Sequence, residues 1–233
     1  MRLYCIVDEI SVGYSAVQHA LEELKSQFAG VVPVSWTIVP RDLSTLVWES
    51  YGEKDMGVAL DTVRKDTKEI FDKFGYQYDC VIYFIDDKHW QANLKRTPSD
   101  PQIRGWNLGN FYNNYQVQLL STNDIAPNMN YRINEEVAHS IDDFAFRELG
   151  RNLDTEMGLD YDEDIVHDRN NPNGVRGDYR EFYVANTPLI QEIVKTRQKK
   201  AIASLIQKIL ILLRDQLMKL KGPTPTMEDH THI

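Results

Sequence analysis

Residues 135–143, "EEVAHSIDD", bring together side chains that bind cations and move protons. On a helix with 100° per residue, Glu135, His139 and Asp142 fall within about 60° of one another, because their spacing is i, i+4 and i+7. Carboxylate and imidazole groups are common metal ligands, and two of them one helical turn apart can reach one ion. The opposite side of this helix is apolar, with Ile133, Val137 and Phe144. The pattern predicts a core helix with a possible metal site on its polar side.

The alternative interpretation of this segment is a charged helix face in solvent. Two features argue against it. Phe146 falls on the same side as His139, and no Lys or Arg occurs between residues 133 and 146. The four carboxylates at 135, 136, 142 and 143 therefore repel one another unless a cation or a buried basic partner offsets their charge.

The rest of the chain alternates between strand and helix patterns. Apolar runs predict strands at residues 2–10, 31–39 and 79–87. Apolar residues at helical spacing predict helices at about 15–30, 56–74, 130–149 and most of 187–221. Residues 105–120 are polar and punctuated by glycine, which favours a strand at the edge of a sheet. Residues 88–104 and the acidic stretch 151–182 predict loops.

Three segments in order, "VIYFIDD", "GWNLGNFYNNYQVQLL" and "EEVAHSIDDF", resemble the inner strand, edge strand and active-site helix of the zincin metallopeptidases. The helix of that family carries the motif H-E-x-x-H. The resemblance covers about residues 2–150. It implies an α/β (α+β) fold in which a mixed sheet with an antiparallel edge strand at 105–120 precedes the active-site-type helix. A zincin-like domain is then expected over residues 1–186, with the metal helix at about 130–149.

The same resemblance assigns roles to individual residues. Glu136 matches the general base of the family and His139 matches its second metal ligand, with zinc as the expected ion. Glu135 stands where the family has histidine, and an anionic ligand there changes the geometry and makes bound water less acidic. The usual third ligand is missing because residue 145 is alanine. Asp142 on the same face and His167 in the acidic loop are the candidates to replace it.

Two functions are compatible with this altered motif. The first is metal-dependent peptide-bond hydrolysis, with an extended peptide held along the edge strand 105–120 by β-addition. The second is an inactive zincin-like binding or assembly module, for example a structural component of a viral or other multi-subunit particle. Intact Glu136 and His139 favour the first function, whereas Glu135 favours the second.

Other metal sites are weaker interpretations of the sequence. Glu136 and His139 also form E-x-x-H, half of a di-iron motif, and "DIVH" at 164–167 is a loose second copy. The strand-rich first half of the chain argues against a four-helix bundle. Residues 168–181, "DRNNPNGVRGDYRE", are rich in oxygen ligands but lack the glycine and glutamate positions of an EF-hand.

A long amphipathic helix is predicted at the C-terminal end, over residues 187–222, followed by a tail at 223–233. Apolar residues repeat along it at spacings of four and three residues: Ile206, Leu210, Leu213, Leu217 and Leu220. Residues 190–222 hold eight Lys/Arg and two Asp/Glu, whereas residues 1–189 carry a net charge of −13. We expect this helix to cover the core of its own domain. The alternative is a surface for homo-oligomerisation, for an acidic partner or for an anionic membrane.

The composition excludes other classes of protein. A net charge of −9 argues against nucleic acid as a general partner, because phosphate binding needs clustered Lys and Arg. Cys5 and Cys80 each lie in an apolar run, which predicts buried free thiols and a reducing compartment. The sequence shows neither a signal peptide nor an apolar run of membrane-spanning length. A cytoplasmic protein is the resulting expectation.

Overall fold

A computed structural model describes residues 1–9, 14–51, 56–58, 60–93, 104–110, 115–122, 126–153 and 179–220. The strands are β1 (Arg2–Asp8), β2 (Ser35–Arg41), β3 (Glu49–Tyr51), β4 (Met56–Val58), β5 (Cys80–Ile85), β6 (Gly105–Asn110) and β7 (Gln116–Ser121). The helices are α1 (Tyr14–Gln27), α2 (Leu60–Phe74), α3 (Ala126–Leu149), α4 (Tyr179–Ala185) and α5 (Thr187–Leu220), with a 3-10 turn at Gly75–Gln77. The fold is mixed α/β, as the sequence predicts.

The central sheet has the strand order β2-β1-β5-β7-β6. The first four strands of this order run parallel, whereas β6 is antiparallel to β7 and ends the sheet. β3 and β4 form a separate antiparallel pair. All six residues of β5 are buried, which confirms the prediction of an interior strand over 79–87.

Two apolar layers cover the faces of this sheet. Helices α1, α3, α4 and the first part of α5 pack on one face, and α2 packs on the other. Side chains of β1 and β5 alternate between the two layers, as expected for strands buried on both faces. Cys5 and Cys80 are buried free thiols, as predicted. Burial raises the pKa of both, to about 12 for Cys80.

The predicted single edge strand at 105–120 is wrong in one respect. This segment contains two strands, and only β6 lies at the edge, while β7 is buried between β5 and β6. The polar residues of β7 misled the prediction because they are buried against α3 rather than exposed. Gln118 donates hydrogen bonds to the Glu136 carbonyl and the Ser140 hydroxyl, at 3.0 and 2.8 Å.

Three other predicted boundaries need correction. Met56 lies in strand β4, and helix α2 begins only at Leu60. The strand predicted at 31–39 is observed at Ser35–Arg41. The acidic stretch predicted as a loop over 151–182 ends earlier, because α4 begins at Tyr179. Residues 154–178 of that stretch, including His167, lie outside the described residues, as does the tail.

A buried ion-pair network attaches α5 to the sheet. Arg197 is fully buried, and its guanidinium donates to Asp79 Oδ1 at 2.8 Å and to Glu148 Oε1 at 2.9 Å. Arg2 also binds Asp79, at 2.8 Å. Burial alone would raise the pKa of Asp79, but these two arginines lower it below its usual value. The sequence placed Arg197 on a basic surface, whereas the structure uses it inside the protein.

The second part of α5 differs from the first. Leu189, Ile190 and Ile193 are buried in the core, so the expectation that this helix covers its own domain holds for its first turns. From Ile202 to Met218 the large apolar side chains are exposed. Among the described residues, no helix combines the length and apolarity needed to span a membrane.

Candidate functional site

Helix α3 carries the candidate residues and is fixed at its C-terminal end by Gly150. This glycine has a φ of 68°, and its amide bonds the Phe146 carbonyl at 2.9 Å. A left-handed glycine commonly ends a helix in this way. The predicted core side of α3 is confirmed, since the following residues are buried: Ile133, Val137, Ile141 and Phe144. Their packing directs the polar side of the helix toward the β6–β7 hairpin.

The polar side of α3 is not a solvated face. Glu135 and Glu136 are 8% and 5% exposed, and His139 is half-buried. Together with β6 they surround a cavity of about 450 Å³. The side chains from α3 that line it are Arg132, Glu135, Glu136, His139 and Asp143, and the residues from β6 are Gly105, Trp106, Asn107 and Gly109. We refer to this cavity as the α3–β6 pocket.

The structure brings together three of the five predicted site residues. Glu135, Glu136 and His139 line the α3–β6 pocket. Asp142 is half-buried on the same helix, but it is not among the lining residues. His167 lies outside the described residues.

Asn107 holds β6 against α3. Its side-chain amide donates to the Glu136 carbonyl at 2.9 Å and to the Ser140 hydroxyl at 3.0 Å. Its side-chain oxygen accepts a hydrogen bond from the Gly109 amide at 2.6 Å. The pairing register between β6 and β7 shifts between Asn107 and Gly109, and Gly109 has a φ of 70°. The side chain of Asn107 therefore fixes both the strand and its irregular turn over the pocket.

Glu136 is the most perturbed acid of the site. Burial raises its pKa to about 8, the His139 charge opposes this rise, and Glu135 adds to it. Its carboxyl group lies against β6, so that a Cβ added at Gly105 would stand 2.6 Å from Oε1. Any other residue at 105 would force the Glu136 carboxyl to move. At neutral pH the Glu136 carboxyl therefore holds a proton and can donate a hydrogen bond.

Two arginines neutralise the other carboxylates of the pocket. Arg132 Nη1 lies 2.8 Å from Glu135 Oε2, and Arg147 Nε lies 2.8 Å from both oxygens of Asp143. Gln116 also donates to Asp143. The sequence raised the question of what offsets the repulsion on this helix. Arg132 and Arg147 answer it from just outside the 133–146 window, and Glu136 removes one further charge by protonation.

The donor set of α3 does not fit a metal ion in this arrangement. The carboxylates of Glu135 and Asp143 are already engaged by arginine. Among the described residues, α3 offers no three ligating side chains with one ligand atom each within 4.8 Å of one another. A zinc site normally requires convergence of three or four such atoms. This arrangement therefore supports no catalytic step through a metal at the pocket.

Comparisons with protein-family models, with curated proteins and with solved structures give no match. The interpretation of the pocket consequently depends on its own geometry and chemistry.

Two charged lining residues, Arg132 and Asp143, were not among the predicted site residues, and both had a detectable signal. Asp143 lies seven residues after Glu136 and four after His139, so a wider stripe on the helical projection includes it. Arg132 lies three residues before Glu135, at the spacing of an intrahelical ion pair. The predicted site contained three acids of this segment but neither of the bases that flank it, Arg132 and Arg147.

Proposed function

We propose that this chain is a binding module of metallopeptidase-like architecture, which holds an extended protein or peptide segment along β6 without cleaving it. The observation that carries the proposal is the pair of arginines that neutralise Glu135 and Asp143. A catalytic metal ion needs those carboxylates for itself. Because the two arginines already neutralise Glu135 and Asp143, these carboxylates contribute little attraction for a cation in the pocket.

Strand β6 offers the backbone groups that such a segment would pair with. It bonds β7 on one side, and none of the described strands covers its other side. The regular part of β6 is short, since its pairing register with β7 shifts between Asn107 and Gly109. Addition of a strand at 105–107 would place the bound segment beside the pocket that the protonated Glu136 and His139 line. The irregularity also limits uncontrolled pairing of edges between copies.

Peptide selection followed by hydrogen exchange tests this proposal. A library of random peptides is selected on the full chain, and amide exchange is measured with and without the selected peptide. We expect protection of the amides at 105–110, and we expect the peptide to remain uncleaved by mass spectrometry. Asn107→Ala, which frees β6 from α3, should weaken binding at least about tenfold, whereas the exposed Lys25→Ala on α1 should not. Protection confined to another surface would overturn the proposal.

Metal-dependent peptide hydrolysis is the second candidate, and one observation favours it. Glu136 has a pKa near 8 and shares the pocket with His139, which is the protonation behaviour of a group that can transfer protons near neutral pH. Cleavage of the selected peptide that stops in Glu136→Gln and in the presence of a chelator would establish hydrolysis and remove the binding-only function.

We further propose that the exposed part of α5 pairs with a second copy of this chain. Its large apolar side chains are 46–65% exposed: Ile202, Leu205, Ile206, Ile209, Leu210, Ile211, Leu212, Leu213, Leu217 and Met218. An antiparallel pair centred between residues 211 and 212 sets Ile206 of one copy level with Leu217 of the other. The same arrangement sets Lys208 level with Asp215. The two-fold pairing therefore also sets Leu205 level with Met218 and Leu210 level with Leu213, while Ile209 stands level with Arg214.

Truncation tests the pairing of α5. Deleting residues 209–233 removes most of the exposed apolar surface but keeps the buried turns and Arg197. We expect the full chain to be a dimer by light scattering and the truncated chain to be a folded monomer with unchanged circular dichroism. Asp215→Lys, which replaces the attraction with repulsion, should weaken the dimer, whereas the exposed Glu192→Lys outside the paired region should not. A monomeric full chain at about 100 µM would contradict the pairing.

A further inference from the structure

Three side chains outside the α3–β6 pocket meet at the carboxyl ends of parallel strands. Asp8 is the last residue of β1, Asp42 follows directly after β2, and His89 lies four residues after the end of β5. These strands are neighbours in the order β2-β1-β5, so their carboxyl ends open at the same edge of the sheet. We refer to Asp8, Asp42 and His89 as the strand-end cluster.

The ligating atoms of this cluster converge. One ligand atom from each side chain lies within 4.8 Å of those of the other two. His89 Nδ1 is 2.7 Å from Asp8 Oδ2, and the Asp86 amide also donates to that oxygen, at 3.2 Å. Asp42 Oδ1 accepts the Ser44 amide at 2.9 Å, which fixes the orientation of its carboxylate. The cluster is therefore built from both buried and exposed ligands held by local hydrogen bonds.

Asp8 supplies a second and independent observation. Its side chain is 0% exposed, yet no described residue donates a hydrogen bond to its Oδ1 atom. A buried carboxylate oxygen without a donor is rare in proteins, because its desolvation is uncompensated. Two described arginines near the cluster in sequence bind other carboxylates, since Arg41 binds Asp66 at 2.5 Å and Arg104 binds Asp87 at 2.9 Å. Asp8 thus keeps one buried oxygen that no described donor compensates, whereas arginines pair with Glu135 and Asp143 in the α3–β6 pocket.

The topology places this cluster where parallel α/β sheets bind ligands. The connection that leaves β1 runs to β2 on one side, whereas the connection that leaves β5 runs to β6 and β7 on the other. A crevice forms between two adjacent strands whose connections diverge in this way. Asp8 and His89 stand at this divergence.

We propose that Asp8, Asp42 and His89 bind a divalent first-row transition-metal cation, such as Mn²⁺ or Zn²⁺. The imidazole ligand disfavours Mg²⁺ and Ca²⁺, which prefer all-oxygen sites, and the two carboxylates disfavour Cu(I), which prefers sulfur. Three protein ligands leave further coordination positions open toward the crevice. This site is independent of the peptide-binding function, since it shares no residue with the α3–β6 pocket.

Isothermal titration of the full, chelator-stripped protein with MnCl₂ and with ZnCl₂ tests the site. We expect one equivalent to bind and to raise the melting temperature. Removal of one ligand, by His89→Gln or by Asp42→Asn, should weaken binding about 10- to 100-fold or more, as even the loss of an outer hydrogen-bond partner has effects of that size. Asp42 is exposed, so Asp42→Asn keeps the test valid if substitution at Asp8 disturbs folding.

Two control variants decide where any metal sits. Asp87→Asn removes a neighbouring charge that is paired with Arg104, and it should leave the titration unchanged. His139→Gln removes the histidine of the α3–β6 pocket and should also leave it unchanged. Binding that survives in both His89→Gln and Asp42→Asn, or no saturable binding at all, would overturn the proposal. Loss of binding only in His139→Gln would assign the metal to the other pocket and overturn the metal-free account of that pocket as well.

Discussion

The α3–β6 pocket and the strand-end cluster both gather carboxylates around a histidine, but they balance the charge differently. In the pocket, Glu135 has Arg132 as its partner and Glu136 keeps its proton. In the cluster, a buried oxygen of Asp8 has no donor among the described residues. The pocket contains the sequence motif that resembles a metal site. The cluster contains three ligating atoms within 4.8 Å of one another, as a metal site requires.

The two proposals share one premise, that local charge balance is a stronger indicator of metal binding than ligand spacing along a helix. Carboxylates that meet without a lysine or arginine partner favour a bound cation, because the cation relieves their mutual repulsion. An arginine at hydrogen-bond distance removes that contribution. Metal affinity in this protein should therefore follow the pattern of arginine pairing rather than the E-E-x-x-H spacing.

The largest loss of stability is expected on substitution of Arg197, which neutralises the buried carboxylates of Asp79 and Glu148. Arg197→Met would leave Asp79 and Glu148 buried beside one fewer cation, and loss of one member of a buried pair costs about 3–5 kcal/mol. Urea denaturation at neutral pH measures this loss. Arg64→Met, in the exposed pair with Asp61 on α2, should change stability by less than about 0.5 kcal/mol. Similar losses in both variants would mean that burial does not determine how much these ion pairs contribute to the free energy of unfolding.

The next largest effect is a pH dependence that originates in Glu136. The folded protein binds the Glu136 proton more tightly than the unfolded chain, so the free energy of unfolding falls as pH rises from about 4.5 to about 8. Each pH unit in this window costs up to about 1.4 kcal/mol. Glu136→Gln removes the titration and keeps the shape, so it should be more stable than the native protein at pH 8.5 by roughly 2–4 kcal/mol.

Urea denaturation at pH 4.5 and at pH 8.5 checks this prediction. The two proteins should differ little in stability at the lower pH, where Glu136 is protonated in the folded protein and about half protonated in the unfolded chain. The exposed Glu192→Gln on α5 should show no difference that depends on pH. A gain in Glu136→Gln of equal size at both pH values would show that packing, and not the proton, separates the variants.

The sequence was sufficient to predict the strands with continuous apolar runs and the apolar side of α3. Those signals are local, since periodicity alone decides which side chains face the core. The position of β7 was not predicted, because Gln116 and Gln118 have the polarity of an exposed strand and are buried only by hydrogen bonds to a helix formed later in the chain. The sequence reasoning also passed over the strand-end cluster, whose members are separated by up to 81 residues and meet only through strand order.

A smaller effect is expected when one arginine that neutralises a carboxylate of the α3–β6 pocket is replaced. Arg132→Met deprives Glu135 of its partner, so the pocket should gain measurable zinc affinity while stability falls by about 1 kcal/mol. The zinc titration is made in the His89→Gln background, so that only the pocket is measured. Arg147→Met, which frees the more exposed Asp143 pair, should produce a weaker gain. No gain in either variant would mean that arginine pairing is not what excludes the metal.

The smallest effect is expected from Glu135→His, which restores the first histidine of the H-E-x-x-H pattern. Neutral imidazole suits zinc better than another carboxylate in an acidic site, which favours tighter binding. The same substitution leaves Arg132 without its carboxylate partner, and that charge opposes a cation in the pocket. We therefore expect about a tenfold gain in zinc affinity for Glu135→His alone, and a larger gain when Arg132→Met is added.

Glu136→Gln in this double variant should leave zinc bound, and none of these proteins should cleave peptides quickly. Titration with a zinc indicator at neutral pH, again with His89→Gln, is the measurement. Equal affinity in all of them would mean that residues 135 and 139 do not converge on one ion, and "EEVAHSIDD" would then serve only to bind β6 and the segment beside it.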